Sequence, residues 1–270
     1  FDVGKSKLRR NQFGATLSGR VLIPKLYDGR DRTFFMVTWE SLRVVDGKTQ
    51  RGIVPQPEML NGDFSKARDA LGRPLALNDP LAGAPFPANQ IPASRLDPVS
   101  LKMAAYFPKP NLAGTVNNFI SAGNGTTSNN NFGIKVDHQL SSRDRLTVST
   151  FWRPNSSWDP VASSRSPLPI FGSANNTLDL LTYVSYMRPI ATTWFVDFKA
   201  SFSRKTNNQR WPYGGDRDWA AGIGFPGGTT NPVARGLPQF EATGYILLGP
   251  AYDLPKVWSF NNYQYSGAAT

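Results

Sequence analysis

Few residues in this chain are of a type that does acid–base or metal chemistry. There is one histidine, His138, and no cysteine, so thiolate nucleophiles and clustered histidine or cysteine metal sites are not available. His138 falls on the otherwise apolar face of a predicted strand, where a local hydrogen bond or an interfacial position is more common than service as a general base. We therefore expect no catalytic residue, no metal site and no bound cofactor.

Two other patterns invite a chemical interpretation. Asp216 and Asp218 form a close carboxylate pair, which a glycosidase could use, but neighbouring loop aspartates more often form turns or stay solvated. Glycine-rich stretches at residues 123–125 and 222–224 lack the lysine and the following helix of a phosphate-binding loop. Neither pattern predicts an enzyme.

Strands with alternating polarity are the elements that must position these residues. In residues 131–140 the apolar side chains fall on one face of the predicted strand and the polar ones on the other. The apolar set is Phe132, Ile134 and Val136, and the polar set includes Lys135 and Asp137. Residues 193–203 show the same pattern. Their apolar set includes Trp194, Val196 and Phe198, and their polar set includes Asp197 and Lys199. In a membrane barrel, the apolar sets would face lipid and the polar sets would face the lumen or a plug.

Five further runs alternate in the same way, at residues 12–23, 33–44, 145–152, 178–186 and 257–267. Each run has about ten residues, which suits a tilted strand that crosses a bilayer. Trp39, Trp152 and Tyr186 lie near predicted strand ends, where an aromatic girdle is expected. The chain therefore has about seven strands, which pair as hairpins with one strand left over.

The connections between these strands alternate in length. Short turns alternate with long connections at about residues 46–129, 154–177 and 206–256. Tight turns at one end of a sheet and long loops at the other are typical of an outer-membrane β-barrel. A soluble β-sandwich shows the same alternation in its strands, but connections this long on one edge only are unusual in a compact soluble domain. The sequence thus predicts an all-β, antiparallel transmembrane barrel segment with long extracellular loops.

The first long connection also contains the signature of one short helix. Asp97 is a suitable N-cap and Pro98 suits the first helical position. An apolar stripe follows at helical spacing and ends before Pro108. The stripe consists of Val99, Met103, Tyr106 and Phe107. We interpret it as packing against the rest of the loop rather than as a ligand groove.

The third long connection is rich in aromatic residues. They are Trp211, Tyr213, Trp219, Phe225, Phe240, Tyr245 and Tyr252. Rings presented from a loop can stack on sugar faces or hold peptide side chains, and they can equally fasten the loop to its neighbours. The cluster is the best candidate for ligand contact in the sequence.

The chain is basic, with a formal charge of +11 from 30 Lys and Arg against 19 Asp and Glu. The basic residues are dispersed and no helix-turn-helix, zinc or RNP-type motif accompanies them, so we expect no nucleic-acid partner. Contact with outer-membrane lipid and lipopolysaccharide would account for the excess. The negative mean hydropathy and the absence of a long apolar run argue against a helical membrane protein.

A series of short segments occurs in a fixed order along the chain. It begins with Arg10-Asn11-Gln12-Phe13-Gly14, Arg32-Thr33-Phe34-Phe35 and Trp39-Glu40. It continues with Val54-Pro55, Gly62-Asp63-Phe64-Ser65, Asp79-Pro80, Pro85-Phe86-Pro87, Asn89-Gln90-Ile91-Pro92 and Tyr106-Phe107-Pro108-Lys109-Pro110-Asn111. It ends with Lys135-Val136-Asp137-His138-Gln139-Leu140, Asp144-Arg145-Leu146, Gly244-Tyr245 and Leu248-Gly249. As a set, these segments resemble the start of the barrel in TonB-dependent outer-membrane receptors of the Oar-like group.

The resemblance implies a barrel of about 22 strands with a plug domain inside it. Such a receptor takes up a large solute with energy supplied by an inner-membrane complex through TonB. Residues 1–10 would form the plug-to-barrel junction and residues 11–270 a partial β-barrel domain. About seven strands cannot close even a barrel of eight, so we expect a fragment of a larger protein, with TonB contacted through a plug region that these residues do not include.

Two alternatives remain open. The first is a soluble or secreted β-rich module that binds carbohydrate, which would need its apolar strand faces covered by a second sheet. The second is a structural protein of the cell envelope that shares the barrel but needs no plug and no energy coupling.

Overall fold

The structure, a computed structural model, describes residues 5–68, 72–161, 166–215, 217–251 and 253–270. Within these ranges the strands are β1 (Leu8–Arg20), β2 (Leu22–Ile23), β3 (Tyr27–Asp28), β4 (Thr33–Gly52), β5 (Phe119–Gln139), β6 (Arg145–Asp159), β7 (Ser173–Pro189), β8 (Phe195–Arg210) and β9 (Lys256–Ala269). Two short α-helices, α1 (Pro98–Ala104) and α2 (Trp219–Ile223), and five 3₁₀ turns lie in the connections.

Seven of these strands form one antiparallel sheet in the order β1-β4-β5-β6-β7-β8-β9, and we call them the main strands. Each main strand pairs with the next main strand along the chain. The two-residue strands β2 and β3 form a separate ribbon within the first turn. Within the described residues, β1 and β9 each pair on one side only and the sheet does not close. The predicted all-β, antiparallel and incomplete architecture is confirmed.

Several strands are longer than the hydrophobic alternation predicted. β4 has 20 residues and β5 has 21, because a segment rich in Ser, Thr, Asn and Gly at residues 121–130 pairs with residues 41–50. Alternation is visible only where one face is apolar, whereas the backbone ladder continues wherever two strands remain side by side. The long connections are therefore confined to residues 53–118, 160–172 and 211–255.

The short turns lie together at the opposite end of the sheet. Residues 140–144 join β5 to β6, and residues 190–194 join β7 to β8. Trp194 lies in the second turn and not in the strand predicted for residues 193–203, because its backbone pairs with Ile190 and Ala191 across the turn. The turn at residues 140–144 is closed by Asp144, whose carboxylate accepts hydrogen bonds from the hydroxyls of Ser141 and Tyr186.

The hydrophobic core lies in the long connections and reaches the sheet at Phe119, the first residue of β5. Its buried members are Val54, Met103, Phe107, Phe119, Leu168, Phe171, Trp211, Trp219, Ile223, Leu237, Ile246 and Leu248. All three long connections contribute, and we call the unit they form the loop cap. Ordering so many loop residues costs conformational entropy, which a shared apolar core offsets.

Close contacts show which face of the sheet the loop cap covers. The Cα of Gly52 leaves no room for a side chain beside Cγ2 of Ile246, and a Cβ on Gly123 would lie 2.7 Å from Cβ of Pro160. By the pairing register, Gly52 and Gly123 share a face with Lys135. We call this the capped face, and the opposite face, which carries Ile134, the open face.

Both short helices are capped by aspartate side chains. Asp97 accepts a hydrogen bond of 2.8 Å from the backbone N–H of Ser100, so the predicted loop helix is confirmed as α1. The sequence did not predict α2, which has five residues and is too short to show helical periodicity. Asp218 accepts its cap hydrogen bond of 2.9 Å from Ala221.

Candidate ligand-binding cap and sheet faces

Asparagine side chains extend the sheet into the first connection. The carboxamide of Asn118 accepts from the N–H of Val54 and donates to its carbonyl, both at 2.8 Å. Asn111 makes the same pair of hydrogen bonds to the backbone of Ile120, the second residue of β5, at 2.8 and 2.7 Å. A carboxamide carries one donor end and one acceptor end, so it can replace a strand residue at the end of a ladder.

Segments that carry the family resemblance meet in space within this connection. The N–H of Ile91 donates to the carbonyl of Gly62 at 2.9 Å, and that of Phe64 donates to Asn89 at 3.1 Å. Asn89 has a φ of 59°, and its side chain bridges to the carbonyl of Phe64 and the N–H of Leu77, each at 2.6 Å. These hydrogen bonds therefore fold the loop, and Gly62, Phe64 and Ile91 also line a cleft in the loop cap.

Two aspartates of the first connection are held in their ionised form. Asp79 pairs with Arg95, and this hydrogen bond is the main reason that the pKa of Asp79 lies below its usual range. The same contact raises the pKa of Arg95, whose guanidinium also lies 5.2 Å from the ring centroid of Phe86. The pKa of Asp63 is lowered mainly by its hydrogen bonds to Ser65.

The seven aromatic residues proposed for ligand contact do not share one environment. Trp211 and Trp219 are only 4% and 7% exposed, and their ring centroids lie 5.1 Å apart inside the loop cap. Trp211 also donates from its indole N–H to the carbonyl of Ile170 in the second connection, at 2.7 Å. These two rings fasten the connections together and are not accessible to a ligand.

The other five rings fall into three groups. Tyr213 and Phe225 are 46% and 45% exposed and lie at the surface of the loop cap. Phe240 and Tyr245 are partly buried and line a cleft. Tyr252 lies outside the described residues.

The cleft lies between the first and third connections and has a volume of about 370 Å³. One wall comes from helix α1 and the residues after it, including Leu101, Ala104 and Phe107. Across the opening, the hydroxyl of Tyr245 lies 3.6 Å from the sulfur of Met59. Burial raises the pKa of Tyr245, so its phenol stays neutral. A pocket of this size with apolar walls suits one apolar group of a ligand.

The polar residues predicted to share a face do so. The register places Lys135, Asp137, Asp197 and Lys199 on the capped face. The carboxylate of Asp137 lies 2.9 Å from the ammonium of Lys135 and 3.1 Å from the guanidinium of Arg145. Lys199 pairs with Asp197 at 2.5 Å. Each acid on this part of the wall is therefore neutralised by a neighbouring cation.

The open face carries an apolar belt. Phe132, Ile134, Val136, Val196 and Phe198 all lie on it, and Ile134 is 51% exposed. Trp194 lies in the turn just before β8.

One row of rings runs across the open face from β4 to β6. Trp39 pairs with Phe132, which pairs with Trp152. The Phe132 and Trp152 rings stack with centroids 5.2 Å apart, and Phe13 meets Trp39 edge to face at 5.6 Å. Beyond this aromatic row, towards the loop cap, the open face becomes polar at Ser41 and Asn130. The row thus marks one border of the belt.

Comparison with known proteins identifies a family for this sheet. The model of one family, described as an outer membrane beta barrel domain, matches residues 2–270. The chain belongs to this family. As an outer-membrane β-barrel domain, it lies in the cell outer membrane. Comparisons with curated proteins and with solved structures found no match.

The helices of this barrel domain are short. Among the described residues, none forms a helix with the length and apolar character needed to cross a membrane.

The residues considered for catalysis have local structural contacts. His138 lies at the turn end of the barrel wall, where its Nδ1 is 2.6 Å from the hydroxyl of Thr33, and Tyr27 reaches the same hydroxyl at 2.5 Å. Asp218 caps α2, and Asp216 lies outside the described residues. In the part of the chain that the structure describes, no cluster of His, Cys, Asp and Glu could hold a metal ion.

The sequence analysis missed a band of asparagines on the capped face of the barrel wall, close below the loop cap. Each has a buried carboxamide oxygen without a hydrogen-bond partner; they are Asn129, Asn131, Asn155, Asn175 and Asn207. Asn129 pairs directly with Asn155, and Asn207 lies beyond Thr177 in the same row. The Asn-rich runs at residues 129–131, 175–176 and 207–208 were the available signal. We call these five residues the amide band.

Proposed function

We propose that this chain supplies part of the wall and the extracellular loops of a TonB-dependent outer-membrane receptor of the Oar-like group. The receptor takes up a large solute and draws its energy from the TonB complex, which a plug region contacts. The observation that carries the proposal is the loop cap. Three long connections share one core over one face of the sheet, at the end opposite the tight turns. A barrel that served only as a structural element would not need such an ordered cap.

The two faces of the sheet have separate roles in this proposal. The open face contacts lipid, because between the aromatic row and the turn end its belt consists of apolar, hydroxyl and small residues with His138 and Arg188 at the border. The capped face lines the lumen and meets the plug. Its ion pairs of Lys135 with Asp137 and of Lys199 with Asp197 leave a polar but nearly neutral surface against which a second domain can pack.

Ligand contact takes place in the cleft and at the amide band. The cleft receives an apolar group of the solute against Phe240 and Tyr245. The amide band below it offers partly exposed carboxamides, which can donate hydrogen bonds to polar groups of the solute and accept hydrogen bonds from them. Tyr213 and Phe225, exposed on the cap, provide the first rings that an approaching ligand meets.

Uptake by intact cells tests the proposal. Cells that express the protein are offered a mixture of oligosaccharides, peptides and metal chelates, and depletion of each component is followed by mass spectrometry. We expect at least one component to be depleted only when both the protein and TonB are present. Depletion without TonB would indicate passage without energy coupling, and no depletion at all would favour a structural barrel without transport. Cleavage of the loop at residues 53–118 by external protease checks that the cap faces outward.

A further inference from the structure

Charged residues are segregated between the two faces of the barrel wall. All acidic residues of the seven described main strands lie on the capped face; they are Glu40, Asp46, Asp137, Asp159, Asp179 and Asp197. The cations of the open face are all arginines; they are Arg9, Arg43, Arg51, Arg188, Arg204 and Arg210. None of the acidic residues of these described strands lies on the open face, which carries these arginines.

Most of these arginines lie at or beyond the aromatic row, on the side of the loop cap. Trp152 pairs with Leu180, and Leu180 pairs with Arg204, so Arg204 lies at the level of the aromatic row. Arg210 lies six positions further along β8, towards the loop cap. At the turn end, Arg188 lies 3.5 Å from the carboxylate of Asp144. The unbalanced positive charge of the open face is thus concentrated at one border of the belt.

Two arginines of this group are close neighbours. Arg9 pairs with Val45 and Asn11 with Arg43, so Arg9 and Arg43 lie diagonally on adjacent strands and on the same face. Arg43 is fixed by hydrogen bonds from its guanidinium to the carbonyls of Leu42 and Asn129, each at 3.0 Å, and to Asn130 at 2.9 Å. Neighbouring like charges on a sheet are unfavourable unless an anion lies between them.

Neutral hydrogen-bonding side chains fill the surface between the two arginine groups. Ser128, Ser156, Asn176 and Asn208 follow Arg43 in one row across the open face. At the end of this row, Asn208 accepts a hydrogen bond of 2.6 Å from Nε of Arg210. Hydroxyl and amide groups of this kind suit sugar hydroxyls, while the belt below suits acyl chains.

We propose that this arginine border binds the phosphate groups of lipopolysaccharide, the phosphorylated glycolipid of the outer leaflet. Arg9 and Arg43 bind one phosphate group. Arg204 and Arg210 bind a second region of the headgroup. The acyl chains lie on the apolar belt. Arginine matches phosphate oxygens with paired hydrogen bonds, and a long side chain at the edge of a belt reaches up to the headgroup level. The inference rests on the proposed orientation of the open face towards lipid, and it does not depend on transport.

Neighbouring residues in the chain provide a matched control. Arg9 lies on the open face and Arg10 on the capped face, and the same holds for Arg204 and Lys205. The variant Arg9→Gln/Arg204→Gln therefore removes two charges from the proposed site. The variant Arg10→Gln/Lys205→Gln removes the same charge at the same height from the other face.

The experiment uses the protein purified from outer membranes and reconstituted in phosphatidylcholine nanodiscs. Each protein is titrated with purified lipopolysaccharide, and binding is followed by the fluorescence emission of the tryptophans in the aromatic row. Inorganic phosphate is added in a parallel series. Resistance to SDS at room temperature confirms that each variant is folded.

We expect the open-face variant to bind lipopolysaccharide more weakly by about fivefold for each arginine removed. The capped-face variant should bind like the unchanged protein, and inorganic phosphate should not compete at millimolar concentration. Equal affinity of all three proteins would overturn the proposal, as would full competition by inorganic phosphate. A loss confined to the capped-face variant would reverse the assignment of the faces and thereby also contradict the orientation given under the proposed function. TonB-dependent uptake is measured in a separate assay, so failure of the lipopolysaccharide proposal can be distinguished from failure of the proposed function.

Discussion

The carboxamide of Asn118 hydrogen-bonds both backbone groups of Val54, and both residues are buried, each 1% exposed. The pair lies directly beyond the last rung of the β4–β5 ladder, where Gly52 pairs with Phe119. It is the point at which the barrel wall passes into the loop cap. Since Val54 is also a member of the cap's core, the position of the first long connection depends on this contact.

Replacing Asn118 should therefore loosen the loop cap. In Asn118→Ala, the buried N–H and carbonyl of Val54 lose their partners, which costs roughly 2–4 kcal/mol in the local stability of the cap. Hydrogen exchange of residues 53–118 measures the effect. The control is Asn124→Ala at an exposed position of β5, which should change stability by less than about 0.5 kcal/mol. Equal protection in the two variants would show that the pair does not fix the loop.

An arginine in the middle of the apolar belt should destabilise the membrane-inserted barrel. Val184 lies on the open face in a row with Val148 and Ala200, so Val184→Arg should cost about 2–4 kcal/mol. Its neighbour on the capped face provides the control Ser185→Arg, with a much smaller expected cost. Urea unfolding in lipid vesicles measures both. A larger cost for the Ser185 variant would place the lipid on the capped face.

Depth in the belt should matter as well as the face. Val196 is the second residue of β8 and pairs with Arg188 and Ala269 near the turn end. Arginine at this level is close to the interface, so Val196→Arg should cost only about 0–1 kcal/mol. The same urea titration tests this. A cost equal to that of Val184→Arg would mean that the belt extends further towards the turns than the strand register indicates.

Filling the cleft should block it without disturbing the loop cap. Ala104 lines the cleft, and Ala104→Trp should weaken binding of 1-anilinonaphthalene-8-sulfonate, a dye with an apolar aromatic part, about tenfold, since an indole competes for the same volume. Lys102→Trp changes an exposed position of the same helix and should leave binding unchanged. Fluorescence titration of both variants gives the answer. Equal binding would show that the dye, and by extension the solute's apolar group, does not enter the cleft.

Acid should weaken the first connection at the contact of Asp79 with Arg95. The pKa of Asp79 in the folded loop lies below its unfolded value, mainly because of the hydrogen bond from Arg95. The contact therefore stabilises the loop fully above the unfolded pKa, near 3.9, and this contribution is lost as pH falls through the lower folded pKa. Limited proteolysis between pH 6 and pH 3 should show increasing cleavage within residues 53–118. In Asp79→Asn, this part of the pH dependence should disappear, and an unchanged acid response would assign it to other groups.

The sequence predicted the strands wherever one face is apolar. The alternation of Phe132, Ile134 and Val136 with Lys135 and Asp137 found the lower half of β5, and the register confirms that the two sets lie on opposite faces. The upper half, at residues 121–130, was missed because both of its faces are polar. Only the pairing with β4 holds that segment as a strand.

Residue type alone predicted the candidate site less well than alternation predicted the strands. The segments around Gly62 and Asn89 carried the family resemblance, but the sequence did not show their structural role. The two segments hydrogen-bond to each other across a loop. The aromatics of the third connection were recognised as a group, yet Trp211 is buried in the core and Phe240 lines the cleft. Burial depends on which other connection packs against each ring, and that information is not local.

Strand periodicity and connection length are properties of neighbouring residues, so the sequence by itself determined the antiparallel wall, its two chemically distinct faces and the end at which the loops lie. Contacts between residues far apart in the chain belong to the tertiary structure. It decided that the three connections share one core, that a cleft opens between the first and the third, and that all acids of the main strands face the cap. The physical reason is that a hydrophobic core is assembled from surfaces whose partners no local pattern specifies.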